Sequence, residues 1–236
     1  MVDYNNFAKT FSNSRKNMKW EEIDYFLEKI NFSENNNILD IWCGNWRFLW
    51  ALKNKFPEIK KQNYLGLDLS TWLLEEAKEI HQDFSENFLE LNMLDLDSHL
   101  LLKEGARGKD AIFFIASYHH LNNLEDREEV LSKAYNLLEK WWKIFMTNWA
   151  LNSELNKKRY SAAIMNNEEI IKMFWKDIST KNFNSQEFNI KLWDNDRYYH
   201  CFDLDELKYL AEKNNFKILE NRLFDNNRNF ITILEK

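Results

Sequence analysis

Two aspartates stand at the ends of short apolar runs, where a sheet would place them side by side. The run 38–41 contains Asp40 and leads straight into residues 42–46 and then a helical stretch, and the run 64–69 contains Asp68. A strand followed by a tight turn and a helix is typical of a nucleotide-binding site. The Asp40 carboxylate could hold the ammonium group of an amino-acid ligand. The Asp68 carboxylate could accept hydrogen bonds from both hydroxyls of a ribose, or it could serve only as a helix cap.

Further polar and aromatic residues follow the later apolar runs. Asn92 and Met93 come after the third run and could flank an adenine ring. His119 and His120 come after the fourth run, at the mouth of the same predicted site. A cluster of aromatic and basic residues occupies positions 196–202, ahead of a helical stretch. The two histidines could also form an ordinary loop with one packed ring and one exposed ring, and the cluster could belong to the core.

The elements that must position these residues alternate along the first part of the chain. Apolar runs at 37–41, 64–69, 88–91, 111–116 and 143–147 predict five strands, with helical stretches between them. Strands that alternate with helices form a mostly parallel sheet covered on both faces.

The pattern changes after residue 150. Residues 151–195 predict helical and irregular segments, and residues 203–213 predict another helix. The runs 216–219 and 230–234 then predict two closing strands joined by a turn, which gives the sheet an antiparallel end.

Composition limits the class of protein. The chain has 236 residues, of which 44% are hydrophobic, and this suits one α/β domain. No apolar run approaches the roughly 20 residues of a membrane helix, and the N-terminus lacks the features of a signal peptide. Cys43 and Cys201 make neither a disulfide framework nor a four-cysteine zinc site. We therefore expect a cytoplasmic protein with no membrane contact. The net charge of −6 argues against tight binding of nucleic acid by this chain alone, unless a local basic patch or a partner subunit supplies it.

The numbers of tryptophan and glycine residues are unusual. The chain has 10 Trp and only 4 Gly, whereas average glycine use would give roughly 16. Glycine permits positive φ and close approach of backbone to a ligand. The two numbers together predict that many of the tryptophans occupy glycine positions.

Residues 36–150 resemble class I S-adenosylmethionine-dependent methyltransferases. Ile-Leu-Asp-Ile-Trp-Cys-Gly-Asn-Trp-Arg-Phe is similar to the family's LDxGCGxGR loop, Leu-Gly-Leu-Asp-Leu-Ser-Thr-Trp-Leu-Leu to its GxDxSxGLL, and Leu-Leu-Glu-Lys-Trp-Trp-Lys-Ile-Phe to its LLKPGGKxF. In all three motifs, tryptophan falls on a glycine position.

The resemblance implies a Rossmann-like α/β fold, with a seven-stranded, mostly parallel sheet, an antiparallel edge strand and helices on both faces. It also implies S-adenosylmethionine as the cofactor. The residues expected to bind it are Asp40, Trp42, Gly44, Trp46, Asp68, Leu69, Asn92, Met93 and Ala116.

The tryptophans in these motifs admit two interpretations. Read literally, Trp42 and Trp46 are strained and fill the space of the methionine part of the cofactor, which predicts weak or absent binding. Alternatively, the host decodes UGA as glycine while the printed sequence follows a table that decodes UGA as tryptophan. The second interpretation predicts glycine in the cell at Trp42, Trp46, Trp72, Trp141 and Trp142, leaves Trp50, Trp175 and Trp193 open, and allows Trp20 and Trp149 to be genuine.

Nearly the whole chain also resembles the family that esterifies carboxymethyl groups on the wobble uridine of tRNA. Its motifs are matched by Ile-Ala-Ser-Tyr-His-His-Leu, by Arg-Tyr-Tyr-His-Cys-Phe, by the N-terminal pattern of Phe, Arg15 and Trp20, and by Arg-Asn-Phe in the last strand, where Phe230 replaces a tryptophan. A carboxylate is already anionic at pH 7, so it needs orientation rather than a strong base. On this resemblance we expect catalytic roles for His119, Arg197, Tyr198 and His200, and substrate contacts for Arg15, His120, Tyr199 and Asn229.

We therefore expect a single methyltransferase domain over residues 1–236. Its parts are a helical cap (1–35), a cofactor-binding core (36–150), a substrate-recognition insertion (151–202), and a closing helix with strands (203–236). The expected reaction is methyl transfer to the carboxylate of a modified wobble uridine in tRNA. The alternatives are a small-molecule methyltransferase acting on a carboxylate, oxygen or nitrogen, and a non-catalytic homologue if the tryptophans are real. No metal ligands are expected, but the tRNA family permits a small zinc-binding activator protein as a partner.

Overall fold

The computed structural model describes residues 12–13, 20–30, 32–33, 36–96, 109–178, 182–192 and 195–236. The expected substrate contact Arg15 lies outside these residues, and so does Trp193.

The described residues contain nine strands in two sheets. The strands are β1 (Ile38–Ile41), β2 (Tyr64–Asp68), β3 (Phe88–Glu90), β4 (Lys109–Ile115), β5 (Leu138–Trp149), β6 (Gln186–Leu192), β7 (Asn195–Cys201), β8 (Lys217–Leu223) and β9 (Asn229–Glu235). Seven strands form the main sheet in the order β3-β2-β1-β4-β5-β9-β8, while β6 and β7 pair only with each other. We call the β6–β7 pair the ribbon.

Helices connect the strands of the main sheet. The α-helices are α1 (Glu21–Glu28), α2 (Arg47–Lys55), α3 (Thr71–Ile80), α4 (Leu124–Leu137), α5 (Glu154–Tyr160), α6 (Asn167–Phe174) and α7 (Leu204–Lys213). Short 3₁₀ turns occupy Lys61–Asn63, Gln82–Asn87, Met93–Asp95, Tyr118–His120 and Ser161–Ala163. No helix in the described ranges is long and apolar enough to cross a membrane.

The topology of the sheet confirms the predicted α/β fold. Strands β3, β2, β1, β4 and β5 pair in parallel, whereas β9 pairs antiparallel with both β5 and β8. The single reversed strand is therefore β9, which lies just inside the edge strand β8. Because the parallel strands share one direction, their carboxyl ends lie along one edge of the sheet.

Side-chain caps explain where several helices begin. The Ser70 hydroxyl accepts a hydrogen bond from the backbone N–H of Leu73 at 3.3 Å. Asp203 caps α7 in the same way, since its Oδ1 accepts from the N–H of Glu206 at 2.7 Å. Each cap satisfies a backbone donor that has no partner within its helix.

Apolar side chains cover both faces of the main sheet. On one face, α1, α2 and α3 bury residues such as Phe26, Leu49 and Leu74. On the other face, α4 and α7 pack together with the ribbon, which contributes Phe188 and Tyr199. The ribbon therefore lies on the same side of the sheet as α4 and α7.

The ribbon corrects one prediction from the sequence. Residues 151–195 were expected to be helical and irregular, but 186–192 form β6, which pairs antiparallel with β7. Phe188 and Ile190 lie on the face of β6 that packs in the main core, while Glu187 and Asn189 lie on its other face. Four polar residues out of seven mask this alternation in the sequence.

Three tryptophans adopt a backbone conformation that favours glycine. φ is +58° at Trp42, +73° at Trp141 and +59° at Trp175. A residue with a Cβ pays roughly 1–2 kcal/mol in this region. The structure thus supports the glycine interpretation at Trp42 and Trp141 and extends it to Trp175. It gives no backbone reason for glycine at Trp46, Trp72 or Trp142.

Candidate active site

Most of the predicted cofactor residues lie at the carboxyl edge of the main sheet. Asp40 is in β1, Asp68 ends β2 and Ala116 follows β4. Residues 42–46 leave β1 directly, and α2 begins at Arg47. The parallel topology therefore brings together residues that are far apart in the sequence.

The loop after β1 is held against β2 by its own backbone. The N–H of Cys43 donates to the carbonyl of Leu67 at 2.8 Å, and the N–H of Gly44 donates to Oδ2 of Asp68 at 2.7 Å. Trp42 and Gly44 both have positive φ, which turns the chain sharply enough for these contacts. The loop geometry is thus that of a glycine-containing turn.

Asp40 presents a buried oxygen that lacks a protein donor. The Tyr64 hydroxyl donates to its Oδ2 at 3.0 Å, while Oδ1 is buried with no hydrogen-bond partner among the described residues. Burial raises the pKa of Asp40 to about 8, and the nearby Asp68 adds to this against the opposing Tyr64 hydrogen bond. Tyr64 can reach Asp40 because Gly66 lies between them, where a Cβ would approach the Tyr64 hydroxyl to 2.9 Å. A ligand ammonium would satisfy this oxygen and favour its ionised form.

Asp68 is held by backbone donors. Its Oδ1 accepts from the N–H of Ser70 at 2.8 Å, and its Oδ2 accepts from Gly44. Burial raises the pKa of Asp68, although these N–H groups and the charge of Arg197 oppose the shift. Each carboxylate oxygen keeps a further lone pair that could accept from a ribose hydroxyl. Leu69, the next residue, is partly buried.

Asn92 and Met93 have local structural roles. Oδ1 of Asn92 accepts from the N–H of Leu94 at 3.0 Å, which caps the short turn after β3. Met93 is fully buried in the core. Their contact with an adenine ring stays a prediction.

His119 and His120 are both neutral but carry their protons on different ring nitrogens. Burial, followed by the charge of Arg197, lowers the pKa of each imidazole well below its usual value. Nδ1 of His119 accepts from the backbone N–H of Trp149 at 3.2 Å, so its proton is on Nε2. Nδ1 of His120 lies 3.1 Å from the carbonyl of Tyr198 and must donate to it, so Nε2 is the acceptor.

Arg197 supplies the donor to His120. Its Nη2 lies 2.8 Å from Nε2 of His120, and its guanidinium lies over the Tyr199 ring at 5.3 Å from the centroid. The Tyr199 ring in turn stacks on Trp149 at 4.8 Å, with only 8° between the planes. The structure therefore brings together His119, His120, Arg197 and Tyr199, and it adds Trp149, to which sequence reasoning gave no role.

Tyr198 and His200 lie on the other face of β7, because side chains alternate along a strand. His200 contacts two buried carboxylates, with Nδ1 3.0 Å from Glu187 and Nε2 2.8 Å from Glu206. Burial and Arg127 oppose its protonation, but the two carboxylates outweigh them and raise the pKa of His200.

We call Glu187, His200, Glu206 and Arg127 the ionic cluster. Nε of Arg127 lies 3.2 Å from Oε1 of Glu206, and both side chains are fully buried. The Tyr198 hydroxyl donates to Oε2 of Glu187 at 2.5 Å. Of the expected catalytic residues, His200 therefore belongs to the ionic cluster and Tyr198 contacts it, whereas Arg197 lies on the opposite face of β7.

Asn229, an expected substrate contact, is also engaged within the protein. Its Nδ2 donates to Oε1 of Glu22 at 2.7 Å, which ties the start of β9 to α1. Asn229 does pair with Trp149 in the register of β5 and β9, so it lies at the carboxyl edge of the sheet.

Three buried polar groups near this edge lack a hydrogen-bond partner among the described residues. They are the hydroxyl of Ser117, Nε2 of His119 and the carboxamide of Asn148. Leaving such a group unpaired costs about 1–3 kcal/mol, so buried groups of this kind are commonly satisfied by a ligand or by water. The sequence analysis assigned Ser117 and Asn148 no role, although the polar Asn148, directly after the apolar run 143–147, was a visible signal.

Trp42 partly closes the same region. Its indole stacks on the His120 ring, with 5.5 Å between centroids and 30° between planes. The ring thus bridges the loop after β1 and the loop after β4. This matches the obstruction expected if Trp42 is read literally, whereas glycine would leave the space open.

Comparison with known proteins agrees with the fold. Residues 39–140 match the family model described as a methyltransferase domain. A presumed methyltransferase of Encephalitozoon cuniculi is 24% identical over 220 residues, which cover 92% of this chain and 86% of that protein.

Solved structures show the same fold at low identity. An S-adenosylmethionine-dependent methyltransferase of Clostridium acetobutylicum has a TM-score of 0.65 and 14% identity, with 99% of each chain covered. A presumed methyltransferase of Haloferax volcanii, solved in complex with the Trm112 methyltransferase activator, has a TM-score of 0.67 and 12% identity, with 100% of this chain and 98% of that chain covered. The chain has the Rossmann-like fold of class I methyltransferases, and the matches support an enzyme that uses S-adenosylmethionine.

Proposed function

We propose that this protein transfers the methyl group of S-adenosylmethionine to the carboxylate of a modified wobble uridine in tRNA. When bound, S-adenosylmethionine supplies an electrophilic methyl group. The unpaired Oδ1 of Asp40 fits the ammonium of its methionine part, and Asp68 fits its ribose.

The observation that carries the proposal is that neither histidine at the site is available as a base. The acceptor nitrogen of His119 is taken by the N–H of Trp149, and that of His120 is taken by Arg197. A hydroxyl or an ammonium acceptor would need to lose a proton, whereas a carboxylate is already anionic at pH 7. The Nε2–H of His119 is a donor that suits such an anion.

The other roles follow from the same geometry. Nη2 of Arg197 lies 2.8 Å from Nε2 of His120, and guanidinium groups bind carboxylates strongly. Beside them the partly exposed Trp149 ring stacks on the buried Tyr199 ring, and Trp149 is the aromatic surface that suits a planar base. Tyr198 and His200 serve as positioning residues through the ionic cluster.

The direct test is methyl transfer from labelled S-adenosylmethionine to tRNA that carries carboxymethyluridine. The Trp42→Gly/Trp46→Gly protein and the unsubstituted chain are assayed side by side. We expect Arg197→Ala to lower kcat/KM by about 100-fold, since a charge-assisted hydrogen bond contributes up to about 3 kcal/mol. Arg222→Ala is the matched control, because Arg222 pairs with Asp225 beside β8. An Arg197→Ala protein with unchanged kcat/KM, or transfer that does not need the carboxymethyl group, contradicts the proposal.

A small-molecule carboxylate, oxygen or nitrogen acceptor is the second candidate, and the net charge of −6 favours it. Filter binding with bulk tRNA separates the two candidates. If the tryptophans of the cofactor loop are real, the third candidate is a non-catalytic homologue.

The complex solved for the Haloferax volcanii protein supports an activator subunit of the same kind for this chain.

A further inference from the structure

No residue of helix α5 is fully buried, although Tyr160 at its end is partly buried and packs against the main core. It spans only seven residues and exposes 54% of Leu155. Isolated helices of this length are unstable in water, and surface helices normally bury one apolar face. Most of α5, including Leu155, faces solvent and is open to contact with a partner.

The beginning of α5 is fixed to the rim of the candidate active site. The Asn156 side chain donates to the carbonyl of Ala150 at 2.9 Å, and Ala150 directly follows Trp149. The Ser153 hydroxyl donates to the carbonyl of Asn227, beside the start of β9, at 2.7 Å. These bonds hold α5 at the carboxyl edge of the main sheet.

The segment after α5 returns to the ribbon. The N–H of Met165 donates to the carbonyl of Glu187 at 2.8 Å, and Ile164 bridges to Phe188. The chain therefore leaves β5 after Trp149, forms α5, and then contacts β6, the strand that pairs with β7.

α5 is locally basic in an acidic protein. Lys157, Lys158 and Arg159 are consecutive and exposed, whereas Glu154 is the single acid of the helix. Lys157 lies 3.9 Å from Glu154, but no ion pair with a carboxylate occurs for Lys158 or Arg159 within the described ranges. Consecutive residues point in different directions around a helix, so the three cations fan out instead of converging on one small anion.

We propose that α5 is a docking surface for the phosphate backbone of the RNA acceptor, an inference that rests on the proposed function. Spread cations match a row of phosphates, and they lie where a polynucleotide would pass when one of its bases reaches the partly exposed Trp149. The net charge of the chain is negative, and the three cations of α5 supply the local basic patch that binding of nucleic acid requires. A small acceptor held at Arg197 would leave these cations in water.

The test is the salt dependence of tRNA binding by the full chain, measured by filter binding with bulk tRNA. The triple variant Lys157→Gln/Lys158→Gln/Arg159→Gln removes the charges and keeps residues that tolerate a helix. We expect affinity for tRNA to fall at least about tenfold. The slope of log K against log salt should also become shallower by about 2 to 3, because each lost phosphate contact removes roughly 0.7–0.9 from that slope. A urea unfolding midpoint that is unchanged from the parent shows that the variant is folded.

A matched control removes three cations at the opposite edge of the sheet. Lys55 ends α2 and Lys60 and Lys61 come just before the amino end of β2, so Lys55→Gln/Lys60→Gln/Lys61→Gln is expected to leave tRNA binding unchanged. Equal losses from both triple variants, or no loss from the α5 variant, overturn the docking surface. An α5 variant that binds tRNA normally but loses a protein activator overturns it as well. If neither the unsubstituted chain nor the Trp42→Gly/Trp46→Gly protein binds tRNA, the proposed function itself is what fails.

Discussion

Trp42 and Gly44 share a left-handed backbone conformation, but only glycine adopts it without strain. The same conformation occurs at Trp175, the residue after the last turn of α6, where helices commonly end in glycine. The Trp175 side chain is 92% exposed and so gains little from packing. The backbone conformation at positions 42 and 175 is therefore the one expected of glycine, which supports glycine as the residue in the cell.

Glycine at the cofactor loop should restore cofactor binding. Trp42→Gly/Trp46→Gly removes the indole that stacks on His120 and relieves the strain at Trp42. We expect S-adenosylmethionine to bind at least about tenfold more tightly in calorimetry, which corresponds to about 1.4 kcal/mol.

Trp50→Gly is the control for this change, since Trp50 is an exposed residue of α2 outside the loop. It should not improve binding. Equal affinities for the double variant and the parent would remove the obstruction argument, and UGG codons at positions 42 and 46 would contradict the glycine interpretation.

At the scale of elements, the two faces of β7 make different contacts. Arg197 and Tyr199 point towards the histidines, whereas Tyr198 and His200 point towards the ionic cluster. A two-stranded ribbon is marginally stable by itself. The ionic cluster joins it to α4 through Arg127 and to α7 through Glu206, and so fixes the strand that carries Arg197.

The pH dependence of stability tests the charge of His200. Its pKa is raised in the folded state, so its contribution is fully present below the unfolded value near 6.5 and is lost as pH rises through the folded pKa. The free energy of unfolding should therefore fall above about pH 6.5, with a slope of up to about 1.4 kcal/mol per pH unit from this one proton. Asp40 adds a decline of the same sign up to its pKa of about 8.

Comparing variants isolates the contribution of His200. In His200→Gln, urea denaturation from pH 6 to 9 should show a smaller slope than in the parent, while the share from Asp40 remains. His81→Gln is the control, because burial lowers the pKa of His81, and a lowered pKa cannot make the free energy of unfolding fall as pH rises. An unaltered slope in His200→Gln would mean that His200 is neutral in the folded protein.

The sequence predicts the strands of the main sheet well, because β1, β2 and β4 are apolar runs buried on both faces. It does not predict the ionic cluster. Glu187, His200, Glu206 and Arg127 come from four separate elements, and no spacing in the sequence indicates that they meet. The sequence analysis likewise assigned Arg197 and His200 to one catalytic group, although their side chains lie on opposite faces of β7.

At the scale of the whole molecule, two parts of the chain build the site. The part that matches the methyltransferase domain supplies Asp40, Asp68 and the two histidines, and the later ribbon supplies Arg197. They meet at His120, whose two ring nitrogens are both engaged by β7. The proton position of His120 therefore depends on the correct docking of the ribbon on the main sheet.

Replacement of the three strained tryptophans should stabilise the whole fold. Trp42, Trp141 and Trp175 lie in the cofactor loop, at the start of β5 and after α6, so their effects should be nearly additive. Each change to glycine relieves roughly 1–2 kcal/mol of strain, from which the greater freedom of glycine in the unfolded chain subtracts about 0.5–1 kcal/mol. We expect the triple variant to raise the free energy of unfolding in urea by about 1–3 kcal/mol. Trp149→Gly should lower it instead, because Trp149 stacks on Tyr199 without positive φ. A triple variant less stable than the parent would show that packing of the indoles outweighs the strain, and that tryptophan belongs at these positions.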